Sequence, residues 1–517
     1  MGASSSSFPA SQPVDVLIVG GGINGCGIAR DLAGRGLRVL LCEQHDLAAH
    51  TSSASTKLIH GGLRYLEYGE FALVRKALAE REVLLRVAPH LVKPLRFIMP
   101  HQPTMRPAWM IRAGLWLYDH LARRRWLPAS GALDLRRHPA GEPLTPSHTR
   151  AFHYADAWVD DARLVVLNAM DAAQRGAHIH TRTHCTALRP QDGGWLATLQ
   201  SQQGAAWTVR ARAVVNAAGP WAEAVLRQQL GQTPQRHLRL VRGSHIVVPR
   251  LFAHDDAYLL QASDRRVIFA IPYLQRFTLI GTTDVEHHAD PAAARIDADE
   301  IAYLCREVGR YFRHPVRPDD VVWHYSGVRP LLEDASDDPS AVTRDYQLEL
   351  QTVQGAPLLT VWGGKITTFR TLAQEAAQRL RAVLPRTGPD WTAHAPLPGG
   401  DLEAVVGSSA SPMQAAQRFE AHLRQRWPWL AATLAARWTR AYGTLALRWL
   451  ESAQRPADLG EEVAPGLYEA ELHHAVTGEW ARTADDVLWR RTKLGLLLDE
   501  AERQRVAQWL DRRAGDV

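Results

Sequence analysis

A glycine-rich turn between a strand and a helix is the feature that most constrains the fold of this chain. Residues 14–19 read VDVLIV, an apolar run typical of a buried parallel strand, and the next six residues read GGGING. Residues 23–34 have the pattern of a helix, and residues 37–42, LRVLLC, have that of a second strand. A strand, a glycine turn, a helix and a strand in so short a segment predict a βαβ unit, and therefore an α/β fold.

The spacing of these glycines, GxGxxG, indicates a phosphate-binding turn. The glycines let the backbone approach a pyrophosphate, and the helix N-terminus offers N–H groups and a partial positive charge. Glu43 follows the second strand, where its carboxylate is suited to accept hydrogen bonds from both hydroxyls of an adenosine ribose. FAD and NAD share this arrangement. The position of the motif at the start of a long chain, and a second turn at residues 216–220 (NAAGP), favour FAD.

The composition limits the class of protein. Of the 517 residues 46% are hydrophobic and 22% are charged, as in ordinary globular proteins, which excludes a disordered, collagenous or coiled-coil chain. A net charge of +6 is small for this length, so it indicates no nucleic-acid partner, although it allows weak attraction to an anionic surface or substrate. The cysteines form no CxxC pair and the histidine pairs at 287–288 and 473–474 are adjacent, so we expect neither a disulfide framework nor a metal site.

The order of the predicted elements suggests three domains. Residues 237–330 are rich in short strands that suit an antiparallel sheet, and the chain after residue 390 has helical stretches and no convincing strand. We therefore predict a Rossmann-like FAD-binding domain, an antiparallel β-sheet substrate (cap) domain and an all-helical C-terminal domain. The expected ranges are a flexible tail (1–12), a discontinuous FAD-binding domain (13–90, 151–235 and 331–387), the cap (91–150 and 236–330) and the C-terminal domain (388–517).

The segment 51–67, TSSASTKLIHGGLRYLE, is chemically dense. Its hydroxyl side chains suit a turn that contacts a cofactor. His60 precedes Gly61 and Gly62, where the backbone is able to bend close to a flat ring, and Arg64 and Tyr65 follow at a predicted helix start. This segment carries the strongest indication of an active site.

Several segments together resemble a known family. They are GGGINGCGIARDLAGRGLRVLLCE, TSSASTKLIHGGLRYLE, EREVLLRVAPHLVKPLRF, DDARLV, NAAGPW, GSHIVVPR, IGTTDVE, YSGVRPL, TRDY and WGGKITTFR, with LYEAEL and ADDVLWRRTK in the C-terminal part. In these segments the chain resembles the aerobic, FAD-dependent, quinone-linked glycerol-3-phosphate dehydrogenases, within the glycine oxidase/D-amino-acid oxidase-like flavoprotein group. The resemblance implies non-covalent FAD, oxidation of sn-glycerol 3-phosphate to dihydroxyacetone phosphate and transfer of electrons to membrane quinone. It also implies a homodimer bound peripherally to the inner face of the cytoplasmic membrane.

The implied reaction needs a base and cations. Oxidation of a secondary alcohol removes the hydroxyl proton and a hydride, and a histidine suits the proton transfer. His60 matches the family's histidine, although a histidine that only hydrogen-bonds flavin or backbone is the alternative. The phosphate dianion suits arginine, and Arg329, Arg344 and Arg64 match substrate-side positions. Since the chain is rich in arginine, a plain surface role is the alternative for each of them.

The resemblance also implies roles for other residues. Lys365 brings a positive charge near the flavin or the substrate oxygen, although a plain lysine at the end of a strand is the alternative. The backbone N–H groups around it are suited to stabilise negative charge on the reduced flavin. Asp284 matches a family motif, and the sequence leaves its role open between positioning His287, a loop or an arginine. The expected catalytic residues are His60, Arg329 and Lys365, and the expected substrate contacts are Arg64, Tyr65, Arg329, Arg344 and Lys365. The expected cofactor contacts are Gly20, Gly22, Ile23, Asn24, Gly25, Glu43, Thr51, Ser52, Ser53, Ser55, Lys57, Leu58, His60, Ala218, Gly219, Gly364, Lys365, Ile366 and Thr367.

One apolar stretch suggests contact with a membrane surface. Residues 108–118, AWMIRAGLWLY, are too few to span a bilayer and are interrupted by Arg112. Trp109 and Trp116 lie in this stretch, and three arginines follow at 123–125. This pattern is typical of a helix that lies on a lipid interface, although most tryptophans serve packing.

Three rival functions stay open on sequence. The first is the same alcohol oxidation with O2 as acceptor, and the second is an amine-oxidising flavoenzyme of the same fold. The third is a non-catalytic flavin- or nucleotide-binding protein whose basic helical C-terminus contacts partners or nucleic acid. The helical C-terminal part and the basic amphipathic stretch favour the dehydrogenase, and the arginines that match phosphate-holding positions argue against amine oxidation.

Overall fold

Two β-sheets and a helical C-terminal region make up the described part of the chain. The computed structural model describes residues 13–332, 345–384 and 387–514, so the predicted tail (1–12) lies outside it. The first sheet contains β1 (Val14–Val19), β2 (Val39–Cys42), β7 (His178–His180), β8 (Thr183–Gln191), β9 (Gly194–Ser201), β10 (Ala206–Asn216), β17 (Gln347–Val353) and β18 (Ala356–Trp362). The second contains β3 (Leu58–Ile59), β4 (Val92–His101), β5 (Gly131–Asp134), β6 (Arg150–Val159), β11 (Leu238–Pro249), β12 (Ala257–Gln261), β13 (Val267–Tyr273), β14 (Phe277–Gly281), β15 (Val285–Glu286) and β16 (Trp323–Leu332).

The α-helices connect and cover these sheets. They are α1 (Ile23–Gly34), α2 (Phe71–Val87), α3 (Ala108–His120), α4 (Asp161–Gln174), α5 (Ala222–Ala224), α6 (Ala298–Gly309), α7 (Phe369–Leu380), α8 (Glu403–Val406), α9 (Pro412–Arg426), α10 (Ala432–Tyr442), α11 (Leu447–Leu450), α12 (Glu469–Glu479) and α13 (Glu500–Ala514). A short hairpin joins β19 (Glu462–Ala464) to β20 (Leu467–Tyr468). Short 3₁₀-helices at Thr51–Ser53, Leu63–Tyr68 and Ile366–Thr368 border the site described below.

The first sheet has the parallel core expected of a Rossmann-like domain. Its main path runs β17-β18-β10-β1-β2-β7, and β1 pairs in parallel with both β10 and β2. The residues of β2 and β18 are buried throughout, as expected of parallel strands covered on both faces. Because the parallel strands end at one edge, the turns that follow β1, β2, β10 and β18 meet there, which is where ligands bind in such folds.

Helix α1 packs closely on this sheet because small residues face its neighbours. A Cβ at Gly27 would lie 2.8 Å from a ring carbon of Phe369 in α7. A buried ion pair between Arg30 and Asp171, with a 2.6 Å N···O distance, joins α1 to α4. Helices α1, α4 and α7 therefore form one layer behind the glycine turn.

The second sheet is antiparallel except for the parallel pair of β4 with β12. One face carries the apolar cluster of Ile246, Tyr258, Leu304 and Phe312, which α6 covers. The other face packs against residues of α2 and α3, including Leu78 and Tyr118. This sheet is the predicted cap, and the α/β class with its cap and helical C-terminal domain is confirmed.

Two details differ from the sequence-based expectation. The C-terminal region is not entirely helical, because the β19–β20 hairpin closes around Gly466, whose φ of +72° favours glycine. The predicted domain boundary at residue 150 also differs from the sheet topology, since β6 and the short β3 pair within the second sheet. The rest of the domain division stays a prediction.

Helix α3 has 13 residues. Within the described ranges, the structure contains no helix that is both long and apolar enough to cross a bilayer.

Candidate active site

A cavity of about 450 Å³ lies where the two sheets meet. Its wall combines the turns at the carboxyl edge of the first sheet with residues of β11, β13 and β16 from the second sheet. The segments 48–56 and 58–65 line the side between them. The cavity therefore brings together the two regions that the sequence singled out, the glycine turn and the segment 51–67.

The glycine turn leaves no room for side chains. Gly20 has a φ of +113°, and a Cβ there would lie 2.6 Å from the carbonyl oxygen of Ala217. A Cβ at Gly25 would lie 1.9 Å from the oxygen of Gly20. Gly25 is thus needed for the contact between helix and strand and does not itself line the cavity, whereas Gly20 and Gly22 do. The wall at this point is bare backbone at a helix N-terminus, which suits a phosphate.

Glu43 lies beside this turn as predicted. Its Oε2 accepts the Gly21 N–H at 2.7 Å, and its Oε1 accepts the His45 N–H at 2.8 Å. Removal from water raises the pKa of the Glu43 carboxyl, and these two hydrogen bonds oppose that rise. Since each carboxylate oxygen is able to accept more than one hydrogen bond, both remain suited to ribose hydroxyls.

Hydroxyl groups of the segment 51–56 tie the cavity wall together. The Ser52 Oγ accepts the Ile23 N–H at 3.0 Å, at the start of α1. The Thr51 Oγ1 donates to the carbonyl of Val328 at 2.7 Å, next to Arg329 in β16. The wall at the helix N-terminus is therefore linked to the strand that carries the predicted phosphate-binding arginine.

Lys57 has a structural position. Its Nζ donates to Asp161 at 2.7 Å and to the Ser53 carbonyl at 3.0 Å, and its side chain is 1% exposed. Asp161 also accepts hydrogen bonds from the Ser55 hydroxyl and N–H. Lys57 and Ser53 lie behind the cavity wall, so they shape the segment instead of facing the cavity.

His60 is held through its backbone. Its N–H donates to the Thr367 Oγ1 at 3.2 Å, which ties it to the turn after β18. The next N–H, of Gly61, donates to the Tyr118 hydroxyl at 2.9 Å, and that hydroxyl donates to Asp156. Arg81 completes this buried group by donating to Asp156 at 2.6 Å. His60 lines the cavity, and residues of α2, α3 and β6 support the backbone beside it.

Arg329 is oriented by residues that the sequence left without a role. Its guanidinium forms an ion pair with Asp284 and donates to the Thr282 Oγ1 at 3.0 Å and the Thr283 carbonyl at 2.9 Å. A Cβ at Gly243 would lie 2.1 Å from its Nη2. Asp284 therefore fixes this arginine, and Gly243 leaves the space in which the guanidinium lies.

Further positive charge lies on the same wall. The Nζ of Lys365 lies 3.9 Å from the ring centroid of Tyr65, a cation–π contact. Arg64 donates to the Tyr68 hydroxyl at 3.3 Å and is half-buried. Arg64, Arg329 and Lys365 thus line one cavity, in which Asp284 is paired with Arg329. Three cationic side chains on one cavity wall are suited to an anionic ligand.

His245 is a site residue that sequence reasoning missed. Its buried ring stacks on Tyr325 with 4.7 Å between centroids, and its Nε2 lies 2.9 Å from the Thr56 Oγ1. Burial, with Lys57 and Arg329 nearby, lowers the pKa of His245 well below its usual value, so this imidazole is neutral. The segment GSHIVVPR resembles the family, but its histidine reaches the cavity only through the pairing of β11 with β14 and β16.

The structure brings most predicted site residues to this wall. They are Gly20, Gly22, Ile23, Asn24, Glu43, Thr51, Ser52, Ser55, Leu58, His60, Arg64, Tyr65, Ala218, Gly219, Arg329, Gly364, Lys365, Ile366 and Thr367. Gly25, Ser53 and Lys57 lie behind it. Arg344 lies outside the described residues. The described residues include no cluster of three or more metal-ligating side chains.

The cavity fits the predicted FAD on two observations. The glycine turn presents bare backbone to the cavity, because a Cβ at Gly20 or Gly25 would clash with neighbouring backbone, and a closely bound pyrophosphate requires such a turn. Asn24 lines the cavity, and its buried Oδ1 accepts no hydrogen bond from the described part of the protein, so it offers a polar contact to a ligand. The residues that would hold FAD are those at the turns after β1, β2, β10 and β18.

Comparison with known families agrees with this geometry. Residues 15–370 match the model of the FAD dependent oxidoreductase family. Residues 391–514 match the model described as the C-terminal domain of alpha-glycerophosphate oxidase. The two matches correspond to the sheet-containing part and the helical part of the chain.

Curated relatives match almost the whole chain. A glycerol-3-phosphate dehydrogenase of Pseudomonas aeruginosa is 52% identical, with 98% of this chain and 97% of that protein covered. A D-erythritol 1-phosphate dehydrogenase of Brucella abortus is 49% identical, with 97% and 98% covered. Among solved structures, the glycerol-3-phosphate dehydrogenase of Bacillus halodurans complexed with FAD has a TM-score of 0.73 and 25% identity, with 97% of this chain and 95% of that chain covered.

The space at Gly243 gives a test of the role of Arg329. We expect Gly243→Ala to displace the flexible end of Arg329, because the new Cβ would overlap its Nη2. The KM for glycerol 3-phosphate, the substrate that the sequence resemblance implies, should rise about ten- to a hundredfold, as for loss of a charge-assisted hydrogen bond. Gly309→Ala is the control, because a Cβ there meets no atom within 4 Å. An unchanged KM in Gly243→Ala would show that Arg329 does not bind the phosphate.

Proposed function

The chain belongs to the FAD-dependent oxidoreductase family that contains the glycerol-3-phosphate dehydrogenases, and we propose that it oxidises sn-glycerol 3-phosphate to dihydroxyacetone phosphate. One observation carries this proposal: a histidine and three cationic side chains share a cavity wall with the FAD cradle. The cations suit a phosphate dianion, and the histidine suits a carbinol proton. An amine without an anionic group would gain no binding energy from that positive charge.

In the proposed mechanism the protein binds, orients and deprotonates the substrate. Arg64, Arg329 and Lys365 bind the phosphate, and Arg344 is proposed as a further contact outside the described residues. FAD, when bound, supplies the acceptor for the hydride of the carbinol carbon. A ring nitrogen of His60 takes the hydroxyl proton, so that the alcohol loses one proton and one hydride and becomes a ketone. Asp284 keeps the Arg329 guanidinium in place throughout.

The comparison with Brucella abortus gives a second candidate substrate. A relative named D-erythritol 1-phosphate dehydrogenase is 49% identical to this chain. Its named substrate carries one more carbinol unit than glycerol 3-phosphate and the same phosphate. The cationic wall suits both compounds, so competition between them in a flavin-reduction assay, with the ratio of kcat/KM as readout, decides which is preferred.

We propose membrane quinone as the final electron acceptor. Quinone takes up two electrons and two protons to become quinol, which balances the oxidation of one alcohol. The similarity to dehydrogenases over nearly the full chain supports this choice over O2. The family model that matches residues 391–514 carries the name of an oxidase, so oxygen is the rival acceptor to test.

Helix α3 supports a peripheral site on the inner face of the cytoplasmic membrane. Trp109 is 69% exposed and Trp116 is 62% exposed, whereas Leu115 and Tyr118 of the same helix are buried. Two exposed arginines, Arg123 and Arg125, follow the helix. Exposed tryptophans beside cationic side chains suit a helix that lies on an anionic lipid surface.

The proposed assembly is a homodimer, which light scattering of the purified protein tests.

The role of His60 has a direct test. We expect His60→Asn to slow anaerobic reduction of bound FAD by glycerol 3-phosphate by about 10²–10⁴-fold, because proton transfer loses its base. Stopped-flow absorbance measures this rate, and the absorbance spectrum reports whether FAD is retained. His245→Gln serves as the comparison, since His245 is another histidine that lines the cavity. Wild-type reduction by His60→Asn together with slow reduction by His245→Gln would move the base to His245.

The electron acceptor is tested by product analysis. In air, with glycerol 3-phosphate and a short-chain ubiquinone analogue, we expect quinol to be the main reduced product and peroxide a minor one. Peroxide is measured by a coupled peroxidase assay and quinol by its absorbance. Peroxide formation that equals substrate consumption, with or without the quinone analogue, would establish an oxidase.

Membrane contact is tested on vesicles that contain anionic phospholipid. We expect replacement of Trp109 and Trp116 by alanine, or of Arg123 and Arg125 by glutamate, to lower the fraction of protein that sediments with the vesicles. Val322→Ser is the control, because Val322 is 52% exposed and lies outside α3. Sedimentation equal to wild type in both α3 variants would remove α3 from the membrane-binding surface.

A further inference from the structure

The C-terminal segment 485–493 reaches the edge of the FAD cradle. Residues Asp486–Arg491 form a π-helical turn. From this turn Arg490 donates to Asp46 at 2.6 Å, and Arg491 donates to both oxygens of the same carboxylate at 2.6 and 2.8 Å. Asp46 belongs to the turn after β2, 445 residues earlier than Arg491. The helical C-terminal domain is thus bonded directly to the cofactor-binding domain.

The turn that Asp46 anchors shapes the cradle. The Ala48 N–H donates to the carbonyl of Gly21 at 3.2 Å, inside the glycine turn, and Ala48 has a φ of +58°. An alanine in the left-handed region is strained, so its surroundings must hold it there. Glu43, three residues before Asp46, accepts the N–H of Gly21 from the other side. The position of the 43–48 turn therefore sets the position of both Glu43 and Gly21.

A second contact from the same segment acts on the neighbouring strand. Asp486 accepts a hydrogen bond from Arg182 at 2.5 Å. The Arg182 N–H donates to the His45 carbonyl at 2.8 Å, and the Thr183 N–H donates to the Glu43 carbonyl at 2.7 Å. The C-terminal domain therefore holds Glu43 in two ways. It contacts the 43–48 turn, which contains Glu43, and it contacts Arg182, whose backbone and that of Thr183 bond to this turn.

These ion pairs are built into the interior. Arg491 is 0% exposed, and Asp46 and Asp486 are almost fully buried. Arg491 also donates to the carbonyl of Glu479 at the end of α12, so its position is fixed within its own domain. None of Asp46, Arg490 and Arg491 belongs to the cavity wall, so they act on a ligand only through the residues that do.

We propose that Arg490 and Arg491 of the C-terminal domain are positioning residues for FAD, which hold the 43–48 turn in the shape that binds the adenosine half of the cofactor. The proposal rests on the predicted contact of Glu43 with the ribose. It assigns the C-terminal domain a part in cofactor affinity, besides any part in membrane or quinone contact.

The experiment measures affinity in folded protein. Two variants, Arg491→Lys and Asp46→Asn, are prepared separately and stripped of FAD. Asp46→Asn keeps the size of the side chain. Each apoprotein is then titrated with FAD and with ADP, which contains only the adenosine half of the cofactor. Circular dichroism first measures the thermal unfolding midpoint of each apoprotein, and the titrations are made well below that temperature. We expect the Kd for FAD and the Kd for ADP to rise together, each by at least about tenfold. Arg455→Lys is the control, since Arg455 forms an exposed ion pair in the same domain.

The outcomes separate positioning from simple stabilisation. A purely structural role lowers the unfolding midpoint but leaves both Kd values unchanged in protein that is still folded. That result in Asp46→Asn and Arg491→Lys would overturn the proposal. A rise in the Kd for FAD without a rise in the Kd for ADP would also overturn it, because the effect would then lie outside the adenosine half. If Arg491→Lys does not fold, Asp46→Asn alone decides.

Discussion

The close contact between the start of α1 and the end of β1 is the constraint on which the rest of the site depends. A Cβ at Gly25 would lie 1.9 Å from the oxygen of Gly20, so helix and strand approach as closely as bare backbone allows. This contact points the first N–H groups of α1 at the cavity. Glu43, Ser52 and Ala217 are then arranged around the turn by hydrogen bonds and contacts to it. If helix and strand moved apart here, the residues of the cavity wall would lose the turn around which they are arranged.

The parts of the fold that follow local patterns were predictable from the sequence. The strand at 14–19, the helix at 23–34 and the acid at 43 are specified by apolar runs and glycines within a short segment, and the structure contains them as predicted. Most of the segment 51–67 also lines the cavity, where it forms only short 3₁₀-helices and the two-residue strand β3. In both places short-range chemistry decides the conformation.

The parts that depend on distant contacts were not predictable in the same way. The role of Asp284 emerges only when β15 pairs with β11 and the preceding turn meets Arg329 of β16. In the sequence His245 is one histidine in an apolar strand, and the strand pairing within the sheet places it at the cavity. The sequence neighbours of Lys57 suggest a cofactor contact, but its ammonium group pairs with Asp161 behind the cavity wall. The partner in each case is far away in sequence, so no local pattern reports it.

The hydrogen bond from Gly61 to Tyr118 connects helix α3 to the residue that follows His60. Tyr118 belongs to α3, whose other side carries two exposed tryptophans, and its hydroxyl lies one residue from His60. A shift of α3 along this hydrogen bond would therefore move the backbone of Gly61, next to His60. Asp156 fixes the other side of the Tyr118 hydroxyl, so α3, β6 and the turn after His60 are held together by one phenol group.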